Sequence, residues 1–244
     1  MKKIAIKWVI LGAGLALPAA AGLGQTSKAA GHWQGKIQIP EHELGVTVDI
    51  AQNPRGAWIG SMSITGSPIA DVPLASVTVE GTVVRFTADL PGHSLFDGRL
   101  STDGNALSGK ASSAEGEATF ALTRDGEANV KVPVPSTALP KEFEGAWKGA
   151  VNSDGKTMRV GLKLSPAADG SATATLTSID QGNQEIPVTS VTIENKQMEL
   201  EVRLVSGNYR GTLGAGGEIS GVWSQGAIQV PLTFTRSTPE AKKP

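Results

Sequence analysis

Val72-Pro73-Leu74-Ala75-Ser76-Val77-Thr78-Val79-Glu80 returns further along the chain as Ile186-Pro187-Val188-Thr189-Ser190-Val191-Thr192-Ile193-Glu194. The spacing is 114 residues, and Trp33-Gln34-Gly35 returns as Trp147-Lys148-Gly149 at the same spacing. A constant spacing over that distance means the strands and loops in between kept their lengths. Later it shrinks: Phe96-Asp97-Gly98 meets Tyr209-Arg210-Gly211 at 113, and Leu107-Ser108-Gly109 meets Ile219-Ser220-Gly221 at 112. Small deletions in turns produce that drift. The chain reads as two copies of one unit.

Each copy alternates with period two. Leu44, Val46, Val48 and Ile50 are separated by polar or small residues, and Met158, Val160, Leu162 and Leu164 stand in the matching places. Met198, Leu200, Val202 and Leu204 alternate with Glu199, Glu201 and Arg203. Alternation of this kind marks strands with one buried face. Turn signals cut the second copy at Ser153-Asp154-Gly155, Asp169-Gly170, Asn195-Lys196, Ser206-Gly207, Gly216-Gly217 and Gln225-Gly226. Glycine and Asx residues suit the left-handed backbone of tight hairpins. At the usual strand length of about five to six residues, about eight strands result. Eight strands joined by hairpins predict an antiparallel up-and-down meander, closed into a barrel because closure removes both edges. A two-sheet sandwich is the alternative.

The predicted fold class is all-β: two tandem, lipocalin-like antiparallel barrels. The layout is a signal peptide over 1–21, a first β-domain over 31–125, a Pro-rich linker over 126–142, a second β-domain over 143–236 and a disordered tail over 237–244. Lys2, Lys3 and Lys7 precede an apolar run from Trp8 to Leu17, and Pro18-Ala19-Ala20-Ala21 offers a small-residue cleavage site. Cleavage is expected after Ala21, with Gly24 next. The apolar run falls short of the ~20 residues a span needs, which argues against an uncleaved anchor. A periplasmic or secreted bacterial location follows. The linker carries Val132-Pro133-Val134-Pro135 and Pro140, so two beads on a semi-rigid spacer are expected, with their packing against each other left open.

Composition removes several kinds of chemistry. There is no cysteine, so disulfides, zinc–thiolate sites and thiol nucleophiles are excluded. Losing the signal lysines would lower the formal net charge of −1 by three, and a mildly acidic chain suits neither nucleic acid nor anionic membranes.

Asp180-Gln181-Gly182, Ile186-Pro187-Val188, Tyr209-Arg210-Gly211, the run Ile219-Ser220-Gly221-Val222-Trp223-Ser224-Gln225-Gly226 and Leu232-Thr233-Phe234 follow one order after Trp147-Lys148-Gly149. Together they resemble the β-rich N-terminal accessory domain of secreted bacterial α/β-hydrolases and serine β-lactamase-like enzymes. The resemblance covers nearly all of the second repeat. In the first, Gly66-Ser67-Pro68 replaces Asp180-Gln181-Gly182, Phe96-Asp97 replaces Tyr209-Arg210, and no Trp-Ser-Gln-Gly follows Gly109. The resemblance implies an accessory module, doubled and without its catalytic domain, and it carries over no catalytic residue.

The residues themselves name no active site. A Gly-x-Ser-x-Gly elbow is missing. The lone Ser-x-x-Lys, Ser153-Asp154-Gly155-Lys156, falls in a predicted hairpin, whereas the β-lactamase pattern needs its lysine one helical turn behind the serine. In Glu41-His42-Glu43 a strand would turn His42 away from both carboxylates. His32 and His93 have no counterpart in the second copy. Glu199 and Glu201 read as outward-facing strand residues rather than a glycosidase pair. Trp33 with Trp147 and Phe96 with Tyr209 read as core, and Arg124 with Arg236 as a shared structural feature at the barrel rim.

Trp58 is matched by Ala172, and Gly60 by Ala174. An indole's volume is therefore absent from the second copy, and eight-stranded barrels lie at the boundary between filled and ligand-holding. A small apolar cavity is expected near Leu162, Ala172, Ala174 and Leu200. The function expected is an exported, non-enzymatic binding or interaction module, an accessory to a hydrolase among the options. The alternatives are a lipocalin-like carrier of a small apolar ligand and a hydrolase with an unrecognised site. No catalytic, metal or cofactor residue is assigned; a protein partner or a small apolar ligand is expected.

Overall fold

The computed structural model describes residues 28–237, apart from 41, 89, 91–93, 115 and 154. The predicted signal peptide and all but the first residue of the predicted tail lie outside them. Among the described residues no helix is long and apolar enough to cross a membrane.

The first repeat is a closed antiparallel barrel of eight strands. In order these are β1 (Gly31–Ile39), β2 (His42–Gln52), β3 (Trp58–Ile64), β4 (Val72–Glu80), β5 (Val83–Ala88), β6 (Ser94–Leu100), β7 (Ala106–Ser113) and β8 (Gly116–Gly126). Each pairs with its neighbour in sequence, and β8 returns to β1. Val46, Val48 and Ile50 face inward and are buried, as their alternation demands. Phe86 stacks on Phe96 at 4.5 Å, and Phe120 meets both rings edge-on.

The second repeat follows the same plan with one break. Its strands are β9 (Gly145–Ser153), β10 (Lys156–Pro166), β11 (Ala172–Ser178), β12 (Gln184–Pro187), β13 (Ser190–Glu194), β14 (Gln197–Val202), β15 (Gly207–Leu213), β16 (Ile219–Gln225) and β17 (Ile228–Arg236). The segment equivalent to β4 is split into β12 and β13, which form the two edges of a curled nine-stranded sheet. Eight strands were expected here, and the ninth comes from this break. The drift in repeat spacing is now located. One residue is lost between β14 and β15 and one between β15 and β16, relative to β5–β6 and β6–β7.

The linker fills the break. Thr137 donates its N–H to Val191 O (3.0 Å) and accepts from Ala172 N (2.7 Å), bridging β13 to β11. Its Oγ1 accepts from Ile193 N at 2.8 Å, and Ser136 Oγ accepts from Val191 N at 3.0 Å. The other end docks on the first barrel, where Asn129 N–H donates to Asp49 Oδ1 at 2.7 Å. Two beads on a spacer is therefore not the arrangement. Only the middle stays open, with Val132 and Val134 about two-thirds exposed. Between the barrels, Val72–Ala75 of one repeat and Pro187–Thr189 of the other line a shared groove. Equivalent segments thus face each other, as in an isologous dimer.

One end of each barrel is stoppered by a tryptophan. The Trp33 indole donates to Ala29 O at 3.1 Å and that of Trp147 to Phe143 O at 2.8 Å. Arg124 lies over Trp33 at 4.5 Å and Arg236 over Trp147 at 4.4 Å. Both guanidiniums donate to carbonyls of the segment entering the barrel, Lys28 and Ala30 in one and Glu142 and Glu144 in the other. The structural role expected for this arginine pair holds, with both residues lying within the last strands of their repeats.

Candidate functional site

At the opposite end the two repeats differ. The first barrel opens into a cavity of about 440 Å³. Ile37 and Ile39 of β1, Leu44 of β2, Ile64 of β3, Phe96 of β6 and Ala111 of β7 line it. Ile69 from the β3–β4 connection and Leu90 from the β5–β6 connection lean over it, and Ser94, Ser112, Ser113 and Glu117 supply its polar rim. The volume and the apolar lining are those of a small-molecule site, for which about 300–1,000 Å³ is usual. Among the described residues no lysine or arginine lines it. Its one carboxylate among the described residues, Glu117, is paired with Lys110 at 3.1 Å. A neutral apolar body with a hydroxyl-like end suits this lining, whereas an anionic head group would meet a carboxylate.

The second repeat fills the corresponding space with its own side chain. Ala111 pairs with Phe96, and Trp223 pairs with Tyr209 in the equivalent register. Trp223 packs against the core and lies so close over Gly207 that a Cβ there would come within 2.3 Å of the indole. In the first repeat Ser94 takes Gly207's place and lines the cavity. Tyr209 is fully buried, and its hydroxyl donates to one of two carbonyls at 3.0 Å, Ile219 O or Leu232 O. Burial pushes that phenol well above its usual range.

Leu162, Ala172, Ala174 and Leu200 all lie in the core of the second repeat, between 0 and 9% exposed. None of the four lines a described cavity. The bulk missing at Ala172 is offset nearby. Phe143, whose counterpart is Ala29, is fully buried in the same core, and Leu139 of the linker packs against it. The repeats have exchanged volume: Ala29 with Trp58 in one, Phe143 with Ala172 in the other. The cavity that sequence reasoning assigned to this end of the second copy has its described counterpart at the other end of the first. One signal for it was in the sequence, since no Trp-Ser-Gln-Gly follows Gly109. That departure from the motif also removes an indole's volume from the mouth of the first barrel.

One polar constellation looks catalytic in its residue types. His32 Nδ1 lies 3.0 Å from Asp49 Oδ1, and Ser61, buried beside Asp49 on the next strand, has an Oγ without a hydrogen-bond partner. Its order is wrong for nucleophilic catalysis. Asp49 is the middle strand's residue, so His32 and Ser61 stand two strand spacings apart, roughly 10 Å. A serine nucleophile needs the histidine between itself and the carboxylate. Asp49 serves instead to hold the linker at Asn129. Ser153 and Lys156 are cross-strand partners at the β9–β10 hairpin, as expected. His42 is exposed at the start of β2, and His93 lies outside the described residues. Among the described residues no three His, Cys, Asp or Glu side chains gather as metal ligands.

No protein-family model matches the chain, and no curated protein does. Solved structures with detectable likeness include a candidate outer membrane protein from Bacteroides fragilis, 13% identical, covering 85% of this chain and 96% of that one, with a TM-score of 0.28. Another is a DUF3598-family protein of unknown function from Nostoc punctiforme, 12% identical over 86% of this chain and 97% of that one, with a TM-score of 0.26. Superpositions this loose carry no inference for this chain.

Proposed function

We propose that this chain is an exported, non-catalytic binding protein that takes a small, neutral, apolar molecule into the open mouth of its first barrel. Of the roles expected from the sequence, this is the lipocalin-like carrier, with the site moved to the first repeat. The observation that carries the reading is the exchange of Trp223 for Ala111. One scaffold is present twice, and the copy with alanine has a described cavity where the other holds an indole.

The test is a titration of the chain with N-phenyl-1-naphthylamine, an uncharged probe that fluoresces in apolar surroundings. Saturable binding at about one probe per chain is expected, one probe filling the mouth of the first barrel. Ala111→Trp combined with Ser94→Gly, which supplies both the second repeat's stopper and the glycine it lies over, is expected to abolish it with little change in the unfolding midpoint. Undiminished binding by that variant would sink the assignment.

A further inference from the structure

The mouth of the first barrel is bordered by the β3–β4 connection, residues 65–71, which brings Ile69 over the cavity. In the second repeat the equivalent connection is fastened from within. Asp180 accepts from Arg159 Nε at 2.9 Å and from Arg159 N at 2.7 Å. The first repeat has glycine at both places, Gly66 for Asp180 and Gly45 for Arg159. That fastening is lost on the copy that has the cavity.

Within the first repeat Thr65 N still donates to Gly45 O at 2.8 Å, and further bonds come from the other domain. Arg203 Nη1 donates to Asp71 O at 2.8 Å, and Ser206 Oγ donates to Pro68 O. Arg203 is itself fixed. Its side chain is 12% exposed, its Nε donates to Glu201 Oε1 at 2.8 Å, and Nη1 also donates to Lys131 O of the linker. Asp71 (φ 53°) and Ser206 (φ 47°) both hold left-handed backbone. The connection's own bonds, Ile64 N to Ile69 O (2.9 Å) and Asp71 N to Ser63 Oγ (2.8 Å), leave the carbonyls of Pro68 and Asp71 facing the second domain.

We infer that Arg203 and Ser206 of the second domain are positioning residues for the binding site of the first, acting through the 65–71 connection and Ile69. The second barrel, plugged by Trp223, thus has a task in ligand retention that needs no cavity of its own. This rests on the binding reading above.

The experiment measures dissociation of N-phenyl-1-naphthylamine from the full chain by stopped flow. Arg203→Ala is expected to speed release roughly tenfold with little change in association, since such changes fall mostly on the off-rate. The same substitution placed in an Ile69→Ala background is expected to add almost nothing, because both act on one contact. If Arg203→Ala fails to fold, Ser206→Ala gives the same reading through the other bond. Unchanged release from a variant that still binds overturns the inference and leaves the binding reading standing. Equal acceleration with and without Ile69 overturns the route through that side chain. A native chain that binds no probe overturns both.

Discussion

Ala111 and Trp223 occupy one position in two copies of a barrel, opposite Phe96 and Tyr209 respectively, and the indole closes the mouth that the alanine leaves open. At this pair of positions the difference between the copies is therefore one of volume, since the strands that carry them pair in the same register.

Trp223→Ala makes the first prediction. Removing the stopper is expected to open a second apolar pit and raise probe stoichiometry from about one to about two. Because Trp223 is only partly buried, the stability cost should fall near 2–3 kcal/mol, below the ~3–5 typical of fully buried aromatics. Titration together with denaturant unfolding checks both numbers.

The stoppered ends give the second. Arg124 combines a ring contact with hydrogen bonds to Lys28, Ala30 and Gly104 carbonyls. Arg124→Ala is expected to cost about 2 kcal/mol, from a cation–π contact and charged hydrogen bonds only partly shielded from water. Arg124→Lys should recover only a fraction, since an ammonium lacks the planar fork that serves several carbonyls at once. Urea unfolding of the three proteins would show the order.

Much of this architecture was legible because the chain states it twice. Two copies with constant spacing fix strand order, and alternation fixes which face is buried; Val46 and Leu162 point as their neighbours require. The break between β12 and β13 was not legible. Val188-Thr189 resembles Leu74-Ala75 in pattern, and what separates the copies is a linker segment inserted between strands. Periodicity records local facing and is silent on which distant segment completes a sheet. Nor could it show Arg203 reaching Asp71, a contact across 132 residues that leaves no periodic trace.

The acid limb of stability follows from three carboxylates. Asp103, Asp169 and Asp180 are held below the ordinary range, first by side-chain hydrogen bonds from Ser101, Ser171 and Arg159 respectively. A carboxyl whose folded pKa is depressed contributes stability that is present above its unfolded value, about 3.9, and is lost as pH falls through the folded one. Melting temperature should thus hold down to about pH 4 and then drop. Asp180→Asn should flatten part of that fall.

Tyr209 contributes to the alkaline limb with the opposite sign. Its folded pKa is raised by burial, so stability is complete below the unfolded value of about 10 and declines as pH climbs beyond it. Tyr209→Phe, which is the first repeat's own choice at Phe96, should cost about 1–2 kcal/mol at neutral pH through the lost hydroxyl bond. The variant should also lose part of the decline above pH 10, which melting curves across that range would reveal.

Thr137 tests the linker's part in the second barrel. Its Oγ1 takes the N–H of Ile193, and its backbone joins β11 to β13 on either side of the break. Thr137→Val keeps shape and backbone but leaves the Ile193 amide without that acceptor, a loss of about 1–3 kcal/mol where the amide is shielded from water. Thr137→Ser restores the oxygen and should recover most of it. Amide exchange is the sharper readout. In Thr137→Val the Ile193 proton should exchange faster while those of β15 and β16, paired deep in the sheet, keep their protection. Uniform loss of protection across the domain would mean that the linker contact holds up the whole barrel and not this edge alone.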